Sequence, residues 1–571
     1  MATDKSKVRY FVRKMHFSGN TRPIHANRHL RVVCIGAGPS GIYLAYKLKT
    51  CLVDFTLDVY EKNPEVGGTW FENRYPGCAC DIPAHNYTYS FEPKPDFSAT
   101  YAAAGEIQQY FKSFVDRHDL RRYIHCDHSV VGAHWDEQSA EWVVQVQYTG
   151  GVLIRRCDFL INGSGILNSP RWPDIPGLRL FNGAVIHTAL WDERVDLTGK
   201  RVGLIGMGSS GVQILPYLQE KAAHVTVFAR SPTWLLSSGG GMEYHEFSEE
   251  ERKTFRDSPH ALREFRQTTE RGLHALFPAL IQGTKTQRDL CYLAREQMEG
   301  SIKDEAVASK LIPNFPLGCR RITPGAQCLR ALNAPNVSLV IGNITAVDQH
   351  HCTTAEHEYK ADVLVCATGF ETSYCPRLPI VGRSCTLLAD QWMHEPRSYL
   401  GVAVNNFPNY FTFLGPNSPF GLTSALFTIE LQGSYMLHFL NRWQKEGIRT
   451  YDPTAHAVDD FIAHKDLFMQ GSVWGSSCHS WYKNKSGKVI AQWPGSSLHY
   501  MEALAQPRYE DFHITYAGGN RFAYLGNGIS QTEAKEDVDS AYYIRDEDDG
   551  ESIFRGLLSN VNIKDTRHML E

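Results

Sequence analysis

The sequence predicts an α/β chain built from two doubly wound nucleotide-binding domains with a helical insertion. Three observations carry that prediction. A short apolar strand runs into a Gly-x-Gly-x-x-Gly turn and a helix at residues 31–48. The strand and turn return at residues 201–211. Residues 241–318 lack strand alternation and carry helical patterns instead. The 571 residues are enough for several domains with large cores, so no metal or disulfide staple is needed for folding. With 43% apolar and 21% charged residues the chain is not mostly disordered. Its 58 basic and 62 acidic residues give a formal net charge of −4, which offers no general electrostatic case for nucleic acid or an anionic membrane. No apolar run of membrane-spanning length is present, so no span is expected.

The first element is the strand Arg31-Val-Val-Cys-Ile35, followed by Gly36-Ala-Gly38-Pro-Ser-Gly41 and the helical stretch 42–48. The first glycine permits the tight turn. The second lets a pyrophosphate approach the backbone, and the third lets helix pack on strand. The second strand, residues 56–60, ends at Glu61, where a carboxylate can accept hydrogen bonds from a ribose diol. An acid-bound ribose fits FAD.

In the second copy, Arg201-Val-Gly-Leu-Ile205 precedes Gly206-Met-Gly208-Ser209-Ser210-Gly211, and the next strand covers 224–228. Here the acid is missing and Arg230-Ser231 follows. A carboxylate would repel a 2′-phosphate, whereas a guanidinium binds it with paired donors, so this site favours NADP. Two unlike nucleotide sites in one chain suggest NADPH as hydride source and FAD as the reactive group.

The apolar stretches Asp158–Gly165 and Lys360–Phe370 each end in a small-residue turn and read as the places where the chain crosses between the domains. The expected organisation is an N-terminal arm (1–30), a discontinuous FAD domain (31–165 and 385–540), an NADP domain (166–384) carrying the helical insertion (241–318), and a polar C-terminal segment (541–571). The arm is basic but lacks the apolar core of a secretory signal. It reads as solvated, and the chain as cytoplasmic. Fourteen cysteines are too dilute for a disulfide framework, and Cys34 and Cys366 read as reduced core thiols. Cys78-Ala-Cys80 has the wrong spacing for a Cys-x-x-Cys redox pair. The His350-His351-Cys352 run with His357 lacks metal-ligand spacing, so no metal site is expected.

Two further motifs bear on function. Phe181-Asn-Gly183-Ala-Val-Ile-His187-Thr-Ala-Leu-Trp191-Asp192 matches Phe-x-Gly-x-x-x-His-x-x-x-Trp-(Pro/Asp) at every fixed position. Gly68-Thr69-Trp70 with Tyr75-Pro-Gly and Asp81 forms the second. With the two glycine turns, these make the chain resemble the flavin-dependent Baeyer–Villiger monooxygenases (class B, type I), over residues 30 to 530 or so. The nearest resemblance is to the fungal-type branch acting on bulky natural-product ketones of secondary metabolism, terpenoids and steroids among them.

The resemblance implies an NADPH- and O2-dependent enzyme whose flavin C4a-peroxide inserts one oxygen beside a ketone carbonyl, giving an ester or lactone. In Gly318-Cys-Arg320-Arg321-Ile-Thr-Pro324, it implies that Arg321 is catalytic and that Arg320, where many members have lysine, lies near the NADP phosphate. Asp81 would orient Arg321. Trp481 is either a nicotinamide-side contact or a core aromatic. His187 is either a linker residue that orders a hinge or a chemical one. The Trp191-Asp192 ending favours ketones over sulfur or nitrogen nucleophiles, which remain the alternative, as does a non-catalytic cofactor-binding paralogue. The expected partners are a small-molecule ketone, no nucleic acid and no membrane span, with the chain a monomer or weak oligomer.

Overall fold

A computed structural model describes residues 22–239, 242–535, 539–541 and 544. The expected N-terminal arm up to residue 21 and nearly all of the expected C-terminal segment lie outside these. The chain enters with β1 (Leu30–Ile35), α1 (Pro39–Cys51) and β2 (Phe55–Tyr60). It continues through α2 (Ala104–Arg117), β3 (Ile124–His125), an antiparallel meander of β4 (Ser129–Asp136), β5 (Glu141–Tyr148) and β6 (Gly151–Cys157), and β7 (Phe159–Asn162).

The second unit holds β8 (Ala184–His187), β9 (Arg201–Ile205), α3 (Ser209–Lys221) and β10 (His224–Ala229). Next come helices α4 (Glu249–Asp257), α5 (Pro259–Ala275), α6 (Lys285–Ser301) and α7 (Glu305–Leu311), then β11 (Val337–Ile341) and β12 (Val363–Cys366). The chain returns through β13 (Ile380–Val381), β14 (Tyr410–Thr412) and the long helix α8 (Ala425–Glu446).

Two five-stranded sheets result, ordered β14-β7-β1-β2-β3 and β11-β10-β9-β12-β8. All their pairings are parallel, so the central strands are buried on both faces and read as unbroken apolar runs. The same clasp starts both sheets. Arg31, the second residue of β1, meets Asp158 just before β7, its backbone N–H and Nη2 donating to that carboxylate at 2.8 and 2.7 Å. Arg201 and Asp362 repeat the arrangement at 2.8 and 2.7 Å. A short side chain at Gly41 or Gly211 would overlap the carbonyl oxygen of Gly36 or Gly206, which lets each helix start hard against its turn.

The two crossovers run side by side. Arg171 N donates to Gly369 O at 2.8 Å and Glu371 N to Ser169 O at 2.9 Å. The return is complete earlier than expected: β13 already pairs with β4 on the flavin side, so residues 380–384 belong there and not to the NADP unit. Such a two-residue pairing carries no periodicity for a sequence reading to detect. The described end of the N-terminal arm is not solvated as expected. Ile24 N donates to Ile529 O at 3.0 Å, and the Arg28 guanidinium lies 3.3 Å from the centroid of the Trp443 ring. Helices α4 to α7 occupy the expected insertion, and the strand-like chain before them docks on the flavin unit, with Phe247 N donating to Ser98 O at 2.9 Å.

Candidate active site

The first turn fits an adenine dinucleotide. Helix α1 starts at the N-cap Gly38 with no side-chain cap, so its positive end is open to a pyrophosphate. Glu61, only 4% exposed, accepts from Ala37 N at 2.8 Å through Oε2 and from Asn63 N at 2.9 Å through Oε1. Each oxygen keeps a lone pair for a ribose hydroxyl. Burial raises the Glu61 carboxyl above its ordinary range, against the pull of those two N–H groups. Gly68 faces Gly38 backbone to backbone, and a side chain at Gly68 would press on the Gly38 Cα. Thr69 opens the short helix that carries Trp70, and Asn73 Nδ2 donates to the Thr69 carbonyl and hydroxyl at 2.9 and 3.0 Å. The indole Nε1 of Trp70 is buried without a partner, as expected of a wall that meets an added group.

The second turn is built alike: α3 begins at the uncapped Gly208. Ser209 Oγ lies 2.6 Å from Thr323 Oγ1, which ties the turn to the segment carrying Arg321. Arg320 Nη2 donates to Ser231 Oγ at 2.9 Å, and its Nε is buried without a partner. Burial lowers the Arg320 pKa, and the charge of Arg230 adds to that. Among the described residues neither guanidinium pairs with a carboxylate. Two neighbouring cations lacking a carboxylate fit a phosphate. Tyr75 belongs to this second turn, its hydroxyl donating to Gln213 Oε1 at 2.6 Å.

The glycine turns can be assigned to cofactors by a paired substitution. Gly41→Ala is expected to yield protein that has lost most of its flavin, read as visible absorbance per protein. Gly211→Ala is expected to keep flavin and lose NADPH affinity. Full flavin content in Gly41→Ala would reject this assignment.

Arg321 and Asp81 stand between the two units, 240 residues apart in sequence and fully engaged in space. Nε and Nη2 of Arg321 donate to Asp81 Oδ2 and Oδ1, both at 2.7 Å, while Nη1 donates to the carbonyls of Phe420 and Gly421 at 2.9 and 3.2 Å. The side chains are 19% and 26% exposed. Burial pulls the guanidinium pKa down, but the charge and hydrogen bonds of Asp81 outweigh it and hold it above its ordinary value. Arg321 is therefore a fixed positive charge at any working pH.

The remaining motif residues sit elsewhere. His187 is fully buried and caps the turn after β8, its Nδ1 accepting from Ala189 N at 3.1 Å. Its ring lies edge-on to Trp172 and Phe370, beside the paired crossovers, and Nε2 has no partner. Burial lowers its pKa, which favours the neutral ring. Phe181 is buried in a small cluster under the second sheet, and Gly183 lets the chain pass the Asp362 carbonyl. Trp191 packs on the second core, whereas Asp192 pairs with Arg194 at the surface. None of these side chains is bonded to Arg321.

Sequence reasoning missed several residues. Tyr87 is packed edge-on against Trp70 at 5.3 Å and is partly buried near Asp81 and Arg321. It lies in an irregular stretch with no periodicity to mark it. Tyr482 adjoins Trp481, whose ring meets Phe420 at 5.7 Å. Burial pushes the Tyr482 hydroxyl up to about 12, with the Arg321 charge opposing. Its neighbour in sequence was a signal that could have found it. Cys34 and Cys366 are free and buried as expected, but Cys319 and Cys478 are joined as a disulfide, with Cα atoms 6.3 Å apart.

The sequence profile of the flavin-binding monooxygenase-like family matches residues 29–246. The FAD-binding monooxygenase tazF of Aspergillus terreus is 40% identical over 531 residues, covering 90% of this chain and 95% of that one. A Baeyer–Villiger monooxygenase of Streptomyces coelicolor is 34% identical over 496 residues, covering 86% and 93%. Among solved structures, oxidised steroid monooxygenase bound to NADP superposes with a TM-score of 0.73 at 30% identity, covering 86% of this chain and 100% of that one. OTEMO in complex with FAD and NADP gives 0.76 at 26% identity, with the same coverage.

Proposed function

This chain belongs to the flavin-binding monooxygenase family as an FAD- and NADPH-dependent Baeyer–Villiger monooxygenase, and from that premise we propose that it oxygenates a bulky ketone, with Arg321 as the catalytic cation and Asp81 as its positioning partner. Residues of the first turn would hold FAD and those of the second, with Arg230, Ser231 and Arg320, would hold NADPH. When bound, these cofactors supply hydride and activated oxygen.

The observation that carries the reading is the Arg321–Asp81 pair, held at 2.7 Å between the two units. As the ketone carbon becomes tetrahedral, negative charge develops on its oxygen. A guanidinium already oriented by Asp81 and two backbone carbonyls can stabilise that charge without reorganising. Asp81 cancels the charge of Arg321 in the resting site. His187 acts beside the crossovers as an ordering residue, not as a proton carrier.

A small cleft of mixed apolar and polar lining joins the insertion to the chain segment whose backbone holds Arg321. Leu273, Phe277 and Leu280 of the insertion line it together with Gly421, Leu422 and Trp474 and the polar Thr423 and Gln492, and Leu280 and Trp474 pack close against Gly421. Gly421 links this cleft to Arg321 through its carbonyl. The terpenoid or steroid class of ketone proposed here rests on the family resemblance and on the likeness to steroid monooxygenase.

Turnover of a ketone panel with NADPH and O2 is expected to give esters or lactones heavier by one oxygen atom. Sulfoxides or N-oxides with no ester from any ketone would reject the ketone assignment. Cofactor binding with no oxygen-dependent turnover at all would mark a non-catalytic paralogue. Among the described residues no helix is long and apolar enough to cross a membrane. We read the enzyme as a cytoplasmic monomer or weak oligomer, a point that sedimentation and fractionation test.

A further inference from the structure

We propose that Cys319–Cys478 is a reversible thiol–disulfide site that couples the thiol state of the surroundings to the efficiency of oxygenation. The bond joins two segments 159 residues apart. Cys319 immediately precedes Arg320 and Arg321. Cys478 lies three residues before Trp481 and four before Tyr482, in the segment that follows the Val473–Gly475 turn. The covalent link therefore spans the end of the NADP unit's helical insertion and the C-terminal part of the flavin unit. It braces the catalytic arginine against the aromatic pair beside it.

Position makes the link more than a folding staple. The chain buries several extensive apolar cores and has no need of a cross-link to fold. The twelve other cysteines within the described residues are unbonded. A single disulfide in a chain whose composition reads as intracellular belongs to the class that forms and breaks in service. Access is unequal. Cys319 is fully buried, whereas Cys478 is 6% exposed and flanked by exposed Ser477 and His479. A thiolate from solvent would therefore reach Cys478 Sγ first.

The reaction balances with a small thiol as reductant. Its thiolate attacks Cys478 Sγ, the S–S bond breaks, and Cys319 leaves as a thiolate that takes up a proton. A second thiol attacks the mixed disulfide, releasing Cys478 as a thiol and the small molecule as its disulfide. Two electrons and two protons pass to the protein. Oxidised glutathione or a similar small disulfide runs the reaction in reverse.

Reduction leaves Arg321 bonded to Asp81 but frees the Trp481–Tyr482 segment from the arginine segment. The expected consequence is poorer coupling: NADPH is still consumed, and less of it ends in product. This readout rests on the ketone-oxygenating function proposed above, whereas the thiol state does not.

The test uses the flavin-loaded enzyme, prepared without reductant. Peptide mass spectrometry after thiol alkylation is expected to show a Cys319–Cys478 cross-link that dithiothreitol removes and oxidised glutathione restores. Reduction is expected to lower ester formed per NADPH consumed at least threefold, with NADPH oxidation changed less than twofold. Cys478→Ser and Cys319→Ser should behave like the reduced enzyme and ignore dithiothreitol. Where one of these folds poorly, the other carries the comparison.

Absence of the cross-link under oxidising conditions would overturn the proposal. So would unchanged coupling after verified reduction, or an undiminished dithiothreitol response in Cys478→Ser. Verified, reversible cross-linking with no ester from any form would instead count against the proposed ketone chemistry.

Discussion

Arg321→Ala is expected to lose ester formation by about 100- to 1000-fold while still binding FAD and being reduced by NADPH. That range corresponds to about 3 to 4 kcal/mol of lost transition-state stabilisation. The reason lies in the geometry. Arg321 makes paired bonds to Asp81 at 2.7 Å and two more to backbone carbonyls, so its charge is held in place before any substrate arrives. No other guanidinium bonds to Asp81 among the described residues, so nothing stands ready to replace it. The variant leaves the Asp81 carboxylate without its cation, and flavin content and melting temperature should be measured first to separate unfolding from lost chemistry. Arg321→Lys keeps the charge but cannot reproduce the fork, and intermediate activity is expected. Ester formation in Arg321→Ala within threefold of the parent enzyme would remove Arg321 from its role.

The second large effect concerns the coenzyme. Arg320→Ala is expected to raise the KM for NADPH by about 10- to 100-fold, the scale of one or two lost charge-assisted hydrogen bonds. NADH should be used as before, because it lacks the 2′-phosphate. Arg230→Ala should act in the same direction, and the double variant should discriminate little between the two coenzymes. The basis is the pair of neighbouring guanidiniums at Ser231, one with an unpartnered buried Nε and neither matched by a carboxylate. Rapid-mixing measurement of flavin reduction isolates this step from oxygenation. Equal losses with NADPH and NADH would mean that Arg320 supports the fold around the Phe315 ring, over which it sits, and does not read the phosphate.

The legible parts of this protein are those written in short stretches. The glycine turns at 36–41 and 206–211 could be read because strand, turn and helix follow one another within twenty residues, and each imposes its own spacing. Glu61 and Arg230 stand at equivalent strand ends, so their contrast in charge is a local signal for different nucleotides. The crossovers were legible as stretches, though not as a paired ribbon. The point of return is not legible in the sequence because β13 is only two residues long and is defined by its partner in β4.

Other features were invisible for a related reason. Tyr87 sits in irregular chain, and its proximity to Trp70 and Arg321 comes from the packing of loops. The carbonyls of Phe420 and Gly421 that hold Arg321 are backbone atoms, which no residue type announces. The contacts of residues 24–28 with residues 524–529 and α8 depart from a solvated arm at its described end, since they depend on segments roughly 400 to 500 residues apart meeting in space.

By itself, then, the sequence determined the two dinucleotide turns, the different charge at each, and the motifs that resemble a Baeyer–Villiger enzyme. These are local patterns, set by steric rules that act between near neighbours in the chain. Only the tertiary structure decided that Arg321 meets Asp81, that Cys319 meets Cys478, and that the helical insertion forms one wall of the cleft. Each joins segments far apart in sequence. Contacts of that kind arise when separate units bury their surfaces together, and they leave no period or spacing behind in the chain.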